Sequence, residues 1–264
     1  MIMFEITFNY ALIGLLAGFF AGYLGIGGGL IMVPALAWIF SRDSATAQYA
    51  THMAVATSLS TMLVTSMSSI IAHHRRAAVL WPVTFQLTPG LILGAVAGAL
   101  LAVQLSSRTL AAAFGIYAGV AGIQLLSGRE VQSQKPLPAK LIQTCTGLTI
   151  GTVSSLVGIG GGSMTVPWLL WHGRRVQQAV ATASACGYPI ALAGTITFIA
   201  LGRQDPAFES VFGYVHLPAF TGMVILSVLA APLGAAAVHN SPPKLVRRIF
   251  GGFMLLVAWK MLLS

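Results

Sequence analysis

Charged side chains leave long stretches of this chain untouched. Asp, Glu, Lys and Arg are absent from Ile6 to Ser41, Ser44 to His74, Ala77 to Ser107, Thr109 to Gly128, Leu141 to Gly173, Val176 to Gly202 and Ser210 to Pro243. An eighth run, Ile249 to Leu263, is interrupted only by Lys260, near enough to the end to snorkel to an interface. Runs of roughly 20 apolar residues are what a membrane-spanning helix needs. The pattern therefore predicts an all-α, polytopic transmembrane bundle built from eight hydrophobic segments with short connections. Within the segments glycine recurs at every fourth position, at Gly14, Gly18 and Gly22, at Gly90, Gly94 and Gly98, at Gly115 and Gly119, and at Gly147 and Gly151. Such ladders lie on one helix face and let a neighbouring helix come close.

Two segments carry a different kind of glycine cluster. Gly25, Gly27, Gly28 and Gly29 are followed by Pro34, and Gly158, Gly160, Gly161 and Gly162 by Ser163 and Pro167, a displacement of 133 positions. Each glycine inside a helix costs about 1 kcal/mol relative to alanine, and proline removes a backbone donor, so a helix should break at each cluster. Unwound backbone at membrane depth is tolerated only where protein or a wet cavity surrounds it. Two breaks at matching places point to a ligand site near the midplane.

The rest of the chain repeats as well. Ala54-Val55-Ala56-Thr57 returns as Ala179-Val180-Ala181-Thr182, displaced by 125, and Phe114-Gly115 as Phe250-Gly251, displaced by 136. This predicts a first membrane repeat over residues 1–128, a polar cytoplasmic linker over 129–140 and a second repeat over 141–264. Between Thr57 and Ser69 the chain is rich in serine and threonine, whose hydroxyls mostly bond back to their own helix or to a neighbour. Those nearest the breaks, Thr57, Ser58, Thr182 and Ser184, are the candidates for touching a ligand.

Composition fits this picture: 56% of residues are hydrophobic and only 7% charged. The basic excess, 14 Lys and Arg against 5 Asp and Glu, is scattered among loops, which argues for topology and lipid anchoring and not for nucleic acid. It also tests orientation. If all eight segments cross once, the basic residues divide seven to seven; if the two glycine-broken segments enter and leave on one side, they divide ten to four. The second arrangement obeys the positive-inside bias. It makes each half a re-entrant hairpin plus three spans, inverts the halves, and leaves both termini outside the cytoplasm. Cys145 and Cys186 are too few for a disulfide framework or a four-ligand metal site and are expected to be small buried side chains.

These residues resemble the sulfite exporter TauE/SafE family of membrane transporters. The likeness rests on two homologous halves, each opening with a Gly-x-Gly-Gly-Gly stretch and a following proline. It implies a carrier of the bacterial inner membrane for small anions, with sulfite, organosulfonates and related sulfur or organic anions as the substrate class. The chemistry of the residues agrees, since half-helix N-termini present free N–H groups and about half a positive charge without a metal or cofactor. The acidic residues all fall at segment ends or in loops, so no carboxylate pair is available for coupling. His52, His172, His216 and His239 also lie near segment ends, where an interfacial structural role is expected. An anion channel would share the broken helices. An intramembrane hydrolase would need Ser163 and a histidine base at one depth, with no nucleophile-elbow pattern around that serine. The expectation is therefore a transporter and not an enzyme, with a small anion and the lipid bilayer as partners.

Topology reporters fused at the N-terminus, after Ser41 and after Arg76 will check the hairpins. The first two are expected on one side and the third on the other; separation of the first two would exclude the arrangement.

Overall fold

A computed structural model of the protein describes residues 2–25, 27–42, 46–127, 135–202, 212–237 and 243–263. Asp43, Arg203, Asp205, Glu209, His239 and residues 129–134 of the central connection lie outside the described residues. Ten α-helices follow one another among them: α1 (Ile2–Leu24), α2 (Gly29–Phe40), α3 (Ala50–His74), α4 (Trp81–Gln104), α5 (Ser107–Ser127), α6 (Lys140–Val157), α7 (Gly162–Trp171), α8 (Val176–Gly202), α9 (Leu217–Ala237) and α10 (Pro243–Leu263). Eight hydrophobic segments give ten helices because each glycine cluster splits its segment, between α1 and α2 and between α6 and α7. An isolated strand-like bridge joins Phe212 and Val215.

By length and composition, α4, α5, α8, α9 and the stretch Ala47–His74 that ends in α3 are each able to cross a membrane. Their outward faces are apolar: Leu93, Ile116, Val120, Ile123, Ile225, Leu229 and Leu233 are all exposed. On a soluble protein a belt of this kind would drive aggregation, whereas lipid covers it at no cost. The interior is built on α3 and α8, where Met53, Val55, Leu59, Met62, Ile190 and Phe198 are fully buried.

The glycine ladders set the helix pairing. A Cβ at Gly14, Gly18 or Gly22 of α1 would lie 2.2, 2.3 or 2.0 Å from the carbonyl oxygen of Met223, Ser227 or Ala231 on α9. On α4, a Cβ at Gly90, Gly94 or Gly98 would lie 1.9, 2.2 or 2.2 Å from the carbonyl oxygen of Thr144, Leu148 or Thr152 on α6. Both sets rise together in residue number, so each pair runs parallel with main chain against main chain. The central pair does the opposite. Leu59 meets Gly194 while Ser69 meets Ser184, so α3 and α8 run antiparallel. Gly115 faces Leu262 and Gly122 faces Gly251, which makes α5 and α10 antiparallel too.

The two arms of the first broken segment touch a common residue. The rings of Tyr10 on α1 and Phe40 at the end of α2 lie 6.2 and 4.9 Å from that of His216, just ahead of α9. Cys186 is buried as expected, but Cys145 is exposed. The reason is the face α6 gives to α4: Gly147 and Gly151 point inward against Leu87 and Leu91, and Cys145 is turned outward.

Replacing Gly94 by valine forces a side chain to within 2.2 Å of a backbone oxygen and 2.8 Å of the Thr152 nitrogen, neither of which can rotate aside. The expected loss is about 1–3 kcal/mol, as for overpacked cores. A thermal melt in detergent should show a lower midpoint for Gly94→Val and none for Gly252→Ala, a position with nothing within 4 Å of its Cβ site.

Candidate functional site

Both breaks end and restart their helices in the same way. Gly28, at φ 77° and ψ −12°, is the N-cap of α2, and Gly161, at φ 69° and ψ −6°, is the N-cap of α7. These left-handed values exclude most side chains. The first helical bonds run from Ile31 and Met32 to the Gly28 carbonyl, and from Met164 and Thr165 to the Gly161 carbonyl. The amides of Gly29, Leu30, Gly162 and Ser163 therefore precede the first helical bond, and neither cap residue offers a side-chain acceptor.

The two breaks touch. A Cβ on Gly27 would fall 3.0 Å from the Cα and 3.2 Å from the nitrogen of Gly160, and one on Gly29 would fall 2.2 Å from the Gly158 carbonyl oxygen. Main chain from one break thus lies directly on main chain from the other. Beside this contact is a cavity of about 10 Å³ lined by Ala21, Gly25, Gly27, Ser66, Ser69, Gly160, Ala183, Ser184 and Gly187. That is room for about one water molecule. Ser69 donates to the Ser184 hydroxyl at 3.3 Å, and Ser184 donates to the Val180 carbonyl at 3.1 Å.

Of the residues that the sequence put forward, Gly25, Gly27, Gly160 and Ser184 line this cavity. Gly28, Gly29, Gly158, Gly161 and Gly162 shape the two turns around it. Ser58 is one layer away and donates to the Gly158 carbonyl at 3.0 Å. Thr57 and Thr182 have reciprocal tasks: the His216 amide donates to Thr57 Oγ1 and the Leu80 amide to Thr182 Oγ1, both at 3.0 Å. Each threonine closes the entrance of the helix that follows the other central helix. Pro34 and Pro167 sit inside α2 and α7, away from the cavity lining, where they omit the bonds to the Leu30 and Ser163 carbonyls. The Ser163 hydroxyl pairs with the phenol of Tyr117, which is a poor base for a hydrolase.

Ser66, Ser69 and Gly187 were not singled out from the sequence. A signal was present, because Ser58, Met62, Ser66 and Ser69 follow one another at four, four and three residues and so share one face of α3. Of the candidate histidines, the three among the described residues have structural tasks. The Nε2–H of buried His52 donates to the Ala102 and Leu105 carbonyls at 3.1 and 3.0 Å, satisfying the end of α4. His172 Nδ1 lies 2.7 Å from the Trp168 carbonyl, and His216 Nδ1 accepts from the Ala219 amide at 3.2 Å. Among the described residues no three His, Cys, Asp or Glu side chains gather at metal-binding distance.

Residues 10–261, which include both breaks and some or all of every helix, match the family described as sulfite exporter TauE/SafE. The chain belongs to the TauE/SafE family. Within the curated proteins it is 31% identical over 99% of its length to the whole of a probable membrane transporter protein of Haemophilus influenzae. It is 26% identical over 93% of its length to 94% of a probable membrane transporter protein of Methanocaldococcus jannaschii, and 27% identical over 97% to 82% of the probable membrane transporter protein YtnM of Bacillus subtilis. No solved structure matches. This TauE/SafE protein is accordingly a multi-pass membrane transporter.

Replacing Thr57 or Thr182 by the near-isosteric valine leaves a part-buried backbone amide without its acceptor. Each is expected to cost about 1–3 kcal/mol. The effects should add in the double variant, because the two sites share no partner. Thermal melts of the two single variants and the double variant measure this.

Proposed function

We propose that this transporter is a carrier for small oxyanions such as sulfite and organosulfonates, bound where the two breaks meet. The observation that carries the reading is the Gly27 to Gly160 contact beside the serine-lined cavity. There the turns that lead into α2 and α7 meet beside serines of α3 and α8, and no residue of the lining carries a positive side chain. Helix N-termini stabilise an anion without the desolvation cost of a buried Lys or Arg. An oxyanion also suits donors arranged around several oxygens better than a halide does. At about 10 Å³ the cavity is smaller than a substrate, which favours a carrier that opens over a standing pore.

The topology belongs to the same proposal. The halves, 1–128 and 141–264, lie inverted across the bacterial inner membrane, each a re-entrant hairpin followed by three spans. Antiparallel packing of α3 on α8 and α5 on α10 supports the inversion. The shared contact of Tyr10 and Phe40 with His216 supports the first hairpin. The Lys135 ammonium lies 5.7 Å from the Trp171 ring, which brings the approach to α6 near the end of α7 and supports the second. Arg42 and Lys260 both lie over Trp38, at 3.8 and 4.7 Å, and so share one end of the molecule, as the ten-to-four division of charge requires. That end faces away from the cytoplasm.

Purified protein in liposomes tests the function. Sulfite is expected to raise the melting midpoint, because a ligand that binds only the native state stabilises it. It should be taken up with saturation and counterflow, as a carrier requires and a channel does not. A Ser66→Ala, Ser69→Ala, Ser184→Ala triple variant should lose the sulfite-dependent shift and at least tenfold in uptake. Equal responses to sulfite, sulfonates, thiosulfate, carboxylates and chloride would overturn the oxyanion assignment.

A further inference from the structure

Most serine and threonine hydroxyls in the interior have a partner. Ser60, Thr61 and Thr65, for example, bond back one turn to Ala56, Thr57 and Thr61. Ser154 and Ser155, in the last turn of α6, do not. Both residues are wholly buried, both hydroxyls lack a partner, and neither takes the carbonyl one turn back that a helical serine can always reach. An unpaired buried hydroxyl is a standing cost, so two in succession beside a helix break call for an occupant. Ser154 Oγ lies 3.2 Å from the Cβ position of Gly161, the N-cap of α7, and Ser155 Oγ lies 3.0 Å from that of Gly194 on α8.

The sequence displacements say what this place is. A shift of 133 makes Ser154 the counterpart of Ala21, Gly158 of Gly25 and Gly160 of Gly27, and a shift of 125 relates Met62 to Gly187, Leu59 to Ser184 and Ser69 to Gly194. The contacts obey the same exchange. Gly160 against Gly187 has its image in Gly27 against Met62, and Ser69 against Ser184 has its image in Gly194 against Leu59. The cavity on one side of the Gly27 to Gly160 contact thus has an image on the other side. There Met62 Cε and Leu59 Cδ1 stand 2.7 and 2.9 Å from the Cβ positions of Gly27 and Gly194, filling the image.

We infer that this filled image is a second oxyanion subsite, used in the opposite-facing state, with the Ser154 and Ser155 hydroxyls and the first amides of α7 as its donors and Met62 and Leu59 as its plug. The inference rests on the carrier reading and deepens it. One anion is handed across the Gly27 to Gly160 contact, from Ser66, Ser69 and Ser184 on one side to Ser154 and Ser155 on the other. An unbranched thioether suits the plug, because methionine withdraws by rotating three bonds without moving its helix. The asymmetry has a use: glycine and serine hold one subsite open while methionine and leucine close its image, so the two are not open together.

The test uses the full-length protein in liposomes with radiolabelled sulfite, and sulfate and chloride for comparison. A Ser154→Ala, Ser155→Ala variant is expected to keep the sulfite-dependent rise in melting midpoint, which reports the first cavity, and to lose at least tenfold in uptake. The Ser154→Thr, Ser155→Thr variant, which keeps the hydroxyls, should recover most of it. Uptake at the wild-type rate together with a raised midpoint in the absence of sulfite would overturn the proposal, leaving two merely unsatisfied hydroxyls. Should the alanine variant fail to fold, Ser154→Cys in a Cys145→Ser, Cys186→Ser background decides. A sulfonate-bearing thiosulfonate reagent should label it, faster after Met62→Ala and more slowly with sulfite present. No labelling in either background would overturn the subsite while leaving the first cavity standing. Absence of anion uptake by the wild-type protein would sink the carrier reading and this subsite with it.

Discussion

The structure depends on a constraint that a bilayer imposes on main chain. An amide or carbonyl at membrane depth has no water to turn to, so irregular backbone survives there only when protein encloses it. This protein has two such pieces and uses each to cover the other. Gly27 lies on Gly160 and Gly29 on the Gly158 carbonyl, at separations that leave no room for a side chain on either. The two long central helices then close the sides, with Ser58 reaching the Gly158 carbonyl and Gly187 resting on Gly160. Because the breaks meet before their helices restart, the main chain that leads into α2 and the main chain that leads into α7 lie against each other.

The same arrangement explains why the surrounding helices are so rich in glycine. A broken segment has short arms and little surface with which to hold itself in place. The ladders on α1 and α6 compensate by bringing entire helix faces to main-chain distance from α9 and α4. Apolar surface gains nothing by leaving lipid for protein, so close approach and dispersion do the holding. The threonines at positions 57 and 182 complete the frame by fixing the starts of α9 and α4.

Much of this was legible in the residues. The uncharged runs marked the helices, and Val176 to Gly202 coincides with α8. The clusters at Gly25 and Gly158 marked the breaks, because glycine and proline act on the local backbone whatever the surroundings. What could not be read was decided by contacts across the chain. Thr57 and Thr182, candidates for the ligand by their place in a repeated motif, accept from distant loop amides. Ser66 and Ser69 share a face of α3 with Ser58, which was a local signal, but they reach the cavity because α8 delivers Gly187 and Ser184 there, and a shared face does not report where another helix arrives. Cys145 is outward for the same reason: its neighbours Gly147 and Gly151 took the inward face.

The pairing of α1 with α9 and of α4 with α6 joins helices far apart in the chain. During synthesis α1 enters the bilayer with its ladder bare and must wait for roughly two hundred further residues before its mate emerges from the ribosome. Until then an insertase, lipid or a chance neighbour has to shield a glycine face that the finished molecule reserves for one helix alone.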